Sequence, residues 1–422
     1  MSWLKPVAGI NSEERVGYKS PIVMGAIGLV VLYFFGLAGR SGQTTFELTR
    51  KDDAIQLPAF EIASAQLGVI SGVLLLAMAA AALLLTLRNK KTPIWLASLY
   101  GLVGVTSLLG WLAADNTVPV VFIAGTALVL AVPIMLGAMA GVMSERSGIT
   151  NIAIEGQLLT GAFMAAVVSS ITDNFALGIF AAMFTASLMS MILAVFAIKF
   201  LAQQIIVGVV LNVLVIGITN FLYQQWLTED GENVNFPGTL DIIKIPFLSD
   251  IPVIGPVLFE NRITVFAALL IVPALWFVLF KTKLGLRARA VGEHPLAADT
   301  VGISVGRTRF WWVTIGGAIA GLGGAALTIG NAGAFGREMS GGFGFIALAV
   351  VILGRWHPIL AALAALLFGF SIILRVWANQ VSPGIPTDFI TMVPYIVTII
   401  AVVGFVGRSR APKSLAIPYV KG

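Results

Sequence analysis

The sequence predicts an all-α fold, a polytopic membrane helix bundle with about 10–12 transmembrane helices. Hydrophobic residues make up 58% of the chain and charged residues only 11%, and the mean hydropathy is +0.96. This composition lies far outside the range of soluble globular proteins. Apolar runs of about 17–25 residues recur along nearly the whole chain, and each is long enough to cross about 30 Å of hydrocarbon as a helix.

Only loops, and no soluble domains, separate the predicted spans. The runs at 156–171 and 342–353 are short for a full crossing and are flanked by glycine, so either is a candidate for a broken or re-entrant helix. The predicted spans are 21–39, 62–87, 93–113, 118–143, 156–171, 175–199, 204–226, 263–281, 310–330, 342–353, 359–377 and 390–407.

The residue types present exclude several kinds of site. The chain has no cysteine, and its two histidines, His294 and His357, are too few and too far apart in sequence for a histidine metal centre. We therefore predict that this chain binds no metal and no cofactor. The Gly-Lys pair that an ATPase phosphate loop requires is also missing. The net charge of +6 does not indicate nucleic acid binding, because the basic residues are spread over short loops.

The distribution of Lys and Arg predicts the orientation of the chain. Basic residues follow the even-numbered spans and the last span, which places them in the cytoplasm if both termini are cytoplasmic. The loop 227–262 is acidic and rich in proline, so we expect it to be an irregular external segment. The basic residues on the predicted cytoplasmic side include Arg88, Lys90, Lys91, Lys199, Lys281, Lys283, Arg287, Arg289, Arg307, Arg309, Arg408, Arg410, Lys413 and Lys421.

A polar stretch, MSERSGITNIAIEGQLLTGAF, interrupts the apolar pattern at residues 143–163. Asn151 and Glu155 are four residues apart and would share one face of a helix. A carboxylate inside a membrane is costly and usually has a partner. One interpretation is that Glu155 braces a broken helix by accepting hydrogen bonds from free backbone N–H groups. The alternative is that Asn151, Glu155 and Gln157 line the path of a solute.

Three further features occur in the predicted spans and in one loop between them. Asn212 and Asn220 lie eight apart, roughly on one face of the seventh span, and are expected either to bond neighbouring helices or to line a solute path. Small residues recur every four positions from Gly316 and Gly317, which predicts close packing on two faces of that helix. The pair Arg337 and Glu338 follows in a glycine-rich loop, as an external pair or as part of a gate.

The basic segment KTKLGLRARAVGEHPLAADTVGISVGRTRF, between the eighth and ninth spans, is predicted to be more than a loop. Pro295 suits the first turn of a helix and Gly302 its end, which gives a short helix at Pro295–Val301. Leu296 and Val301 offer apolar contacts, and the flanking arginines offer polar ones, as the docking of a partner protein requires. A plain positive-inside loop would need only the Lys and Arg residues, so we favour docking.

Three motifs in this sequence resemble those of a known family. SERSGITNIAIEGQLLTGAF, LGLRARAVGEHPLAADTVGISVGRTRF and GGFGFIALAVVILGRWHP occur in the order and spacing typical of permease subunits of bacterial ABC importers. The resemblance is to the family that handles simple sugars, nucleosides and branched-chain amino acids, and within it to the nucleoside permeases. It extends over about Val118 to Gly407, most of the chain.

The resemblance implies a type II ABC importer-like permease in the bacterial cytoplasmic (inner) membrane. Its implied partners are cytoplasmic ATP-binding subunits, which use ATP and Mg, a second permease subunit, identical or homologous, and an extracytoplasmic solute-binding protein. The implied parts are an extension with about three spans at 1–117, a permease core at 118–407 and a cytoplasmic tail at 408–422. Within the core, residues 282–309 form the coupling segment. The residues implied to couple to the ATPase are Arg287, Arg289, Gly292, Glu293, Pro295, Ala297, Asp299 and Gly302.

We expect the chain to move a nucleoside, first a purine nucleoside, by alternating access, without catalysing a covalent step itself. A simple sugar or a riboflavin-like solute on the same machinery is the next expectation. An ion-coupled secondary transporter would need several intramembrane carboxylates, and Glu155 is the one good candidate. An integral membrane enzyme would need a paired acidic metal motif or a Ser/His/Asp arrangement, and neither is recognisable.

Overall fold

The computed structural model describes residues 18–228, 231–382, 392 and 410–421. Within these ranges, ten helices are long and apolar enough to cross a membrane, which confirms the predicted helical membrane fold. These ten spans are numbered together with three shorter helices, α9, α10 and α12. The helices are α1 Lys19–Leu37, α2 Ser64–Leu87, α3 Ile94–Leu112, α4 Val120–Arg146, α5 Ile154–Thr172, α6 Phe175–Ile198, α7 Gln204–Leu227, α8 Ile263–Lys281, α9 Lys283–Glu293, α10 Pro295–Thr300, α11 Val305–Ala332, α12 Phe343–Leu353 and α13 Pro358–Val381. Two short helical turns lie at Gly231–Val234 and Ile254–Leu258.

The observed helices differ from the predicted spans in a few places. The run at 156–171 belongs to the continuous α5, and the chain is interrupted just before it. The apolar helix α12 has 11 residues, too few to cross a membrane at about 1.5 Å per residue. Helix α11 begins at Val305, so Arg307 and Arg309 are helical and are not loop residues. The predicted span at 390–407 lies outside the described residues.

Short strands, which the sequence does not predict, occur in three of the connections, α1–α2, α3–α4 and α7–α8. Strands β1 (Gln43–Glu47), β2 (Phe60–Ala63) and β3 (Thr117–Pro119) form a sheet in the order β2-β1-β3. Its β1–β2 pair is antiparallel and its β1–β3 pair is parallel. Strands β4 (Ile243–Lys244) and β5 (Glu260–Asn261) pair antiparallel within the irregular segment before α8.

The described residues divide into two compact units. The first contains the described parts of Met1–Leu48, Leu57–Val120 and Trp377–Gly407, and the second contains Thr49–Gln56, Val121–Val376 and the described part of Arg408–Gly422. In the first unit, α1 packs on α2, and the Tyr100 hydroxyl of α3 donates to the Met24 carbonyl at 2.6 Å. The second unit holds all the predicted site residues. The division predicted at 117/118 and 407/408 stays a prediction.

Helix α11 is the most buried of the ten described spans. The small-residue rows predicted for it are confirmed as packing faces: Gly321 lies against the backbone of Ala182 in α6, and Gly324 lies against the backbone of Leu158 in α5. A methyl group at either position would overlap that backbone. The three helices can approach each other closely because these positions carry no side chain.

We predict that Gly324→Ala lowers the stability of the protein by about 1–3 kcal/mol, because overpacking forces the α5 and α11 backbones apart. The control is Gly217→Ala in α7, where an added methyl group meets nothing within 4 Å. The measurement is thermal unfolding of the purified protein in detergent. Equal midpoints for the two variants would contradict the close packing.

Candidate functional site

The polar stretch predicted to break a helix does so at residues 147–153, here called the interruption. Helix α4 ends at Arg146, and α5 begins at Ile154. Ile154 packs against Gly137 and Gly141 of α4, so α5 begins about two turns inside the end of α4. Gly148 has a φ of +96°, which favours glycine, and turns the chain back towards the interior.

The buried polar atoms of the interruption are paired within the protein. The side-chain amides of Asn151 and Gln157 exchange two hydrogen bonds of 3.2 Å each. From α7, Asn212 accepts a bond from the Gly156 N–H at 2.8 Å and donates one to the Ile152 carbonyl at 2.9 Å. Asn212 thereby satisfies two backbone groups that the missing helical turn leaves open, and the two amides satisfy each other.

Glu155 holds the N-terminal end of the half-length helix α12. Its Oε1 accepts from the Ser340 hydroxyl at 2.7 Å and the Gly342 N–H at 2.8 Å, and its Oε2 accepts from the Gly344 N–H at 2.6 Å. The residue is only 5% exposed. A carboxylate is well placed at a helix N-terminus, because the free N–H groups and the helix dipole both favour negative charge there.

Asn220, the fifth predicted solute-path residue, is hydrogen-bonded to none of the other four. Its amide donates to the Glu338 carboxylate at 3.1 Å, while its buried Oδ1 has no hydrogen-bond partner among the described residues. The neighbouring Arg337 guanidinium stacks on the Tyr223 ring, 5.2 Å from its centroid. The loop before α12 is therefore held against α7 by both of its charged residues. Whether any of these residues lines a solute path stays a prediction.

The end of α4 is tied to the turn between α12 and α13. The buried Glu145 carboxylate accepts from the Trp356 indole N–H, and the Arg146 guanidinium donates to the Trp356 carbonyl at 2.9 Å. The His357 ring stacks on Phe280 of α8 with a centroid distance of 5.1 Å. Burial, and then the positive charge of Arg146, lower the pKa of His357.

The coupling segment forms two helices, α9 and α10, joined at His294. The predicted helix at Pro295–Val301 is confirmed as α10, whereas the sequence analysis does not predict α9. Thr282 begins α9, and its hydroxyl accepts from the Gly285 N–H at 3.3 Å. Gly292 packs directly on the Arg146 carbonyl, so the end of α9 contacts the end of α4.

The predicted coupling residues differ in their exposure. Arg287, Ala297 and Gly302 are exposed, whereas Gly292 is buried. The others, Arg289, Glu293, Pro295 and Asp299, are partly buried. Arg289 stacks on Phe280 with its guanidinium carbon 5.0 Å from the ring centroid. Only part of the set is therefore free to contact another protein.

Arg309 is a site residue that the sequence reasoning missed. The sequence predicts a basic loop residue at this position, yet Arg309 is only 2% exposed. Its guanidinium donates to the Ser147 carbonyl at 3.2 Å and to the Ile417 carbonyl at 3.1 Å. Its position four residues inside α11 carries no sequence signal of burial, because Lys and Arg also flank ordinary spans.

A bundle of spanning helices with an interrupted helix and a half-length helix is the architecture of a membrane permease. Residues 123–402 match the family described as branched-chain amino acid transport system, permease component. The match covers more than half of the chain, and the chain belongs to this permease family. It is a multi-pass membrane protein and not an enzyme.

Several named permeases are similar to this chain. It is 41% identical over 304 residues to the guanosine ABC transporter permease protein NupQ of Bacillus subtilis, which covers 70% of this chain and 95% of that protein. It is 37% identical over 306 residues to the nucleoside ABC transporter permease protein NupC of Lactococcus lactis, with the same two coverages. A putative glucose ABC transporter permease of Haloferax volcanii is 31% identical over 59% of this chain and 75% of its own length. No solved structure matches the chain.

We predict that Glu155→Gln destabilises the protein by about 1–3 kcal/mol, because hydrogen bonds to a charged acceptor at the start of α12 are lost. The control is Glu61→Gln on β2, where the carboxylate is exposed. The midpoint of thermal unfolding in detergent is measured for both. A Glu155→Gln midpoint equal to that of the wild type would show that the carboxylate does not stabilise the helix end.

The pKa of His357 is lowered in the folded protein. As the pH falls, this histidine therefore binds a proton in the unfolded chain at a higher pH than it does in the folded protein. The stability that a neutral His357 contributes is present above its unfolded pKa, about 6.5, and is lost below it. We predict that the unfolding temperature of His357→Phe falls less between pH 7 and pH 5 than that of the wild type. The control is the same replacement at the exposed His294, and a His357→Phe variant that loses as much stability as the wild type over this pH range would contradict the prediction.

Proposed function

We propose that this chain is the transmembrane permease subunit of an ATP-driven ABC importer of nucleosides, with purine nucleosides as the first choice. The proposal rests on the two relatives whose names state guanosine or nucleoside transport and whose sequences are matched over 95% of their length. Asn151, Gln157 and Asn212 place neutral amides at or beside the interruption. Such groups suit an uncharged solute with several hydrogen-bond donors and acceptors.

A simple sugar is the second candidate for the solute. One relative, at 31% identity, is a putative glucose ABC transporter permease. Its match covers less of this chain than the nucleoside permeases do, so the nucleoside remains the first choice. A sugar would use the same machinery, since only the contacts along the path would differ.

We propose the cytoplasmic membrane of a bacterium as the location, with both termini and the coupling segment in the cytoplasm. The partners are an ATP-binding subunit, a second permease subunit and an extracytoplasmic solute-binding protein. The ATP-binding subunit carries the ATP and Mg. The Lys and Arg residues of the coupling segment support this orientation, because short basic loops remain on the cytoplasmic side.

The observation that carries the mechanism is the direct contact between the coupling segment and the end of α4, next to the interruption. Gly292 at the end of α9 packs on the Arg146 carbonyl, and Arg289 and Arg146 both lie over the Phe280 ring. A displacement of the coupling segment by the ATP-binding subunit would therefore press on the residue at which α4 ends. ATP binding would switch the path from one opening to the other through this contact.

For the solute path, we propose a division of roles among the five predicted residues. Four of them are hydrogen-bonded within the protein and would shape the wall of the path: Asn151, Glu155, Gln157 and Asn212. Asn220 retains an unused acceptor in its Oδ1. A nucleoside hydroxyl would supply the missing donor once the contact between Asn220 and Glu338 opens.

The test is uptake of labelled guanosine and glucose by cells that contain the complete transport system. We expect guanosine uptake that disappears without the ATP-binding subunit and falls about tenfold or more in Glu293→Ala, since loss of a positioned interface group costs over 1 kcal/mol. The control is Asp241→Ala, an exposed carboxylate in the segment before α8. Assembly of each variant is checked by co-purification of the ATP-binding subunit.

The outcomes separate the parts of the proposal. Uptake that continues without the ATP-binding subunit would overturn the importer and favour an ion-coupled carrier. Uptake of glucose alone would retain the importer and replace the solute. Full uptake by Glu293→Ala would remove that residue from the coupling interface.

A further inference from the structure

The described C-terminal residues, 410–421, fold back onto the coupling segment. The Ser414 N–H donates to the Gly292 carbonyl at 2.9 Å, and the Ser414 hydroxyl donates to the Glu293 carbonyl at 3.2 Å. The Lys413 N–H also meets the Glu293 carboxylate at 3.4 Å. The bonds lie at the junction between α9 and α10, so the C-terminal residues brace the turn that separates the two helices.

Arg309 makes the second attachment of the C-terminal residues. One nitrogen of its guanidinium donates to the Ile417 carbonyl, and another donates to the Ser147 carbonyl in the interruption. This cation is buried, and these bonds use carbonyl oxygens as acceptors. A buried cation is costly, so its burial needs both carbonyls in place. The position of the C-terminal residues is thereby linked to the interruption.

The same residues complete a cleft beside α10. Its walls are His294–Ala297 on one side and Ile417–Val420 on the other. Large apolar side chains are exposed on both sides: Leu296 is 66% exposed, Ile417 is 52% exposed and Val420 is 65% exposed. A monomeric protein seldom leaves such a set uncovered, so a neighbouring surface is expected to cover it.

We propose that residues 412–420 form the second half of the surface on which the ATP-binding subunit docks, together with α10. This inference rests on the proposed function, which makes α10 a docking element. The occupant follows from continuity, because a protein seated on Leu296 would also meet Ile417 and Val420 across the cleft. The segment thus adds an apolar contact and holds the docking helix in a fixed orientation through Ser414 and Arg309.

The absence of cysteine from the sequence allows a direct test. Single variants Leu296→Cys, Ile417→Cys and Val420→Cys are labelled with a maleimide in nanodiscs, with and without the ATP-binding subunit of the same system. We expect labelling at all three positions to slow about tenfold or more in the complex, as for side chains excluded from water at an interface core. The control is Phe247→Cys, in the segment before α8, where the side chain is 88% exposed.

The results distinguish this inference from the proposed function. Protection of Leu296→Cys alone would overturn the role of residues 412–420 and retain α10 as the docking element. Protection of none of the three would overturn both. Slow labelling of Val420→Cys in nanodiscs without the ATP-binding subunit, but fast labelling in detergent, would identify the bilayer as the occupant and overturn the inference.

Two variants that introduce a negative charge provide an independent measurement. Ile417→Asp and Val420→Asp are expected to reduce co-purification of the ATP-binding subunit about tenfold, because an aspartate does not fit an apolar interface. Both positions are exposed, so the unfolding temperature of the isolated permease should match that of the wild type. Unchanged co-purification with these two variants would contradict the docking role.

Discussion

Inside a membrane, a backbone N–H or C=O group without a partner costs several kcal/mol, and the structure of the second unit follows from this constraint. The chain leaves the helical conformation at the interruption, and side chains from elsewhere in the sequence close the open hydrogen bonds. Asn212 bonds the backbone on both sides of Ala153, and Glu155 binds the start of α12. Helices α7 and α12 are therefore both fixed at the break between α4 and α5.

Two further contacts reach this break and the adjacent end of α4. Arg309 reaches the interruption from α11, and Gly292 reaches the adjacent end of α4 from α9. Both contacts use backbone carbonyls, which cannot move without moving the chain itself. A rigid connection of this kind suits a machine in which one subunit consumes ATP and another opens the path.

Sequence reasoning predicted the membrane spans and the position of the break well, because apolar length and a misplaced carboxylate are strong local signals. It offered two interpretations of Glu155, a brace or a solute-path residue. The hydrogen bonds to Ser340 and Gly344 are those of a brace, and a place on the path stays a prediction. It missed α9, which has no long apolar run, and the burial of Arg309, since both depend on the packing of distant segments. The short strands were missed because two to five residues carry too little periodicity to be recognised.

The carboxylate at the start of α12 has a consequence for selectivity. The free N-terminus of a half helix inside a membrane attracts anions, such as the carboxylate or phosphate of a solute. In this protein Glu155 already occupies that position and accepts from the Ser340 hydroxyl and from the N–H groups of Gly342 and Gly344. An anionic group at the start of α12 would therefore be repelled by the Glu155 carboxylate, whereas a neutral group would not. The protein's own carboxylate thus closes this helix end to anions.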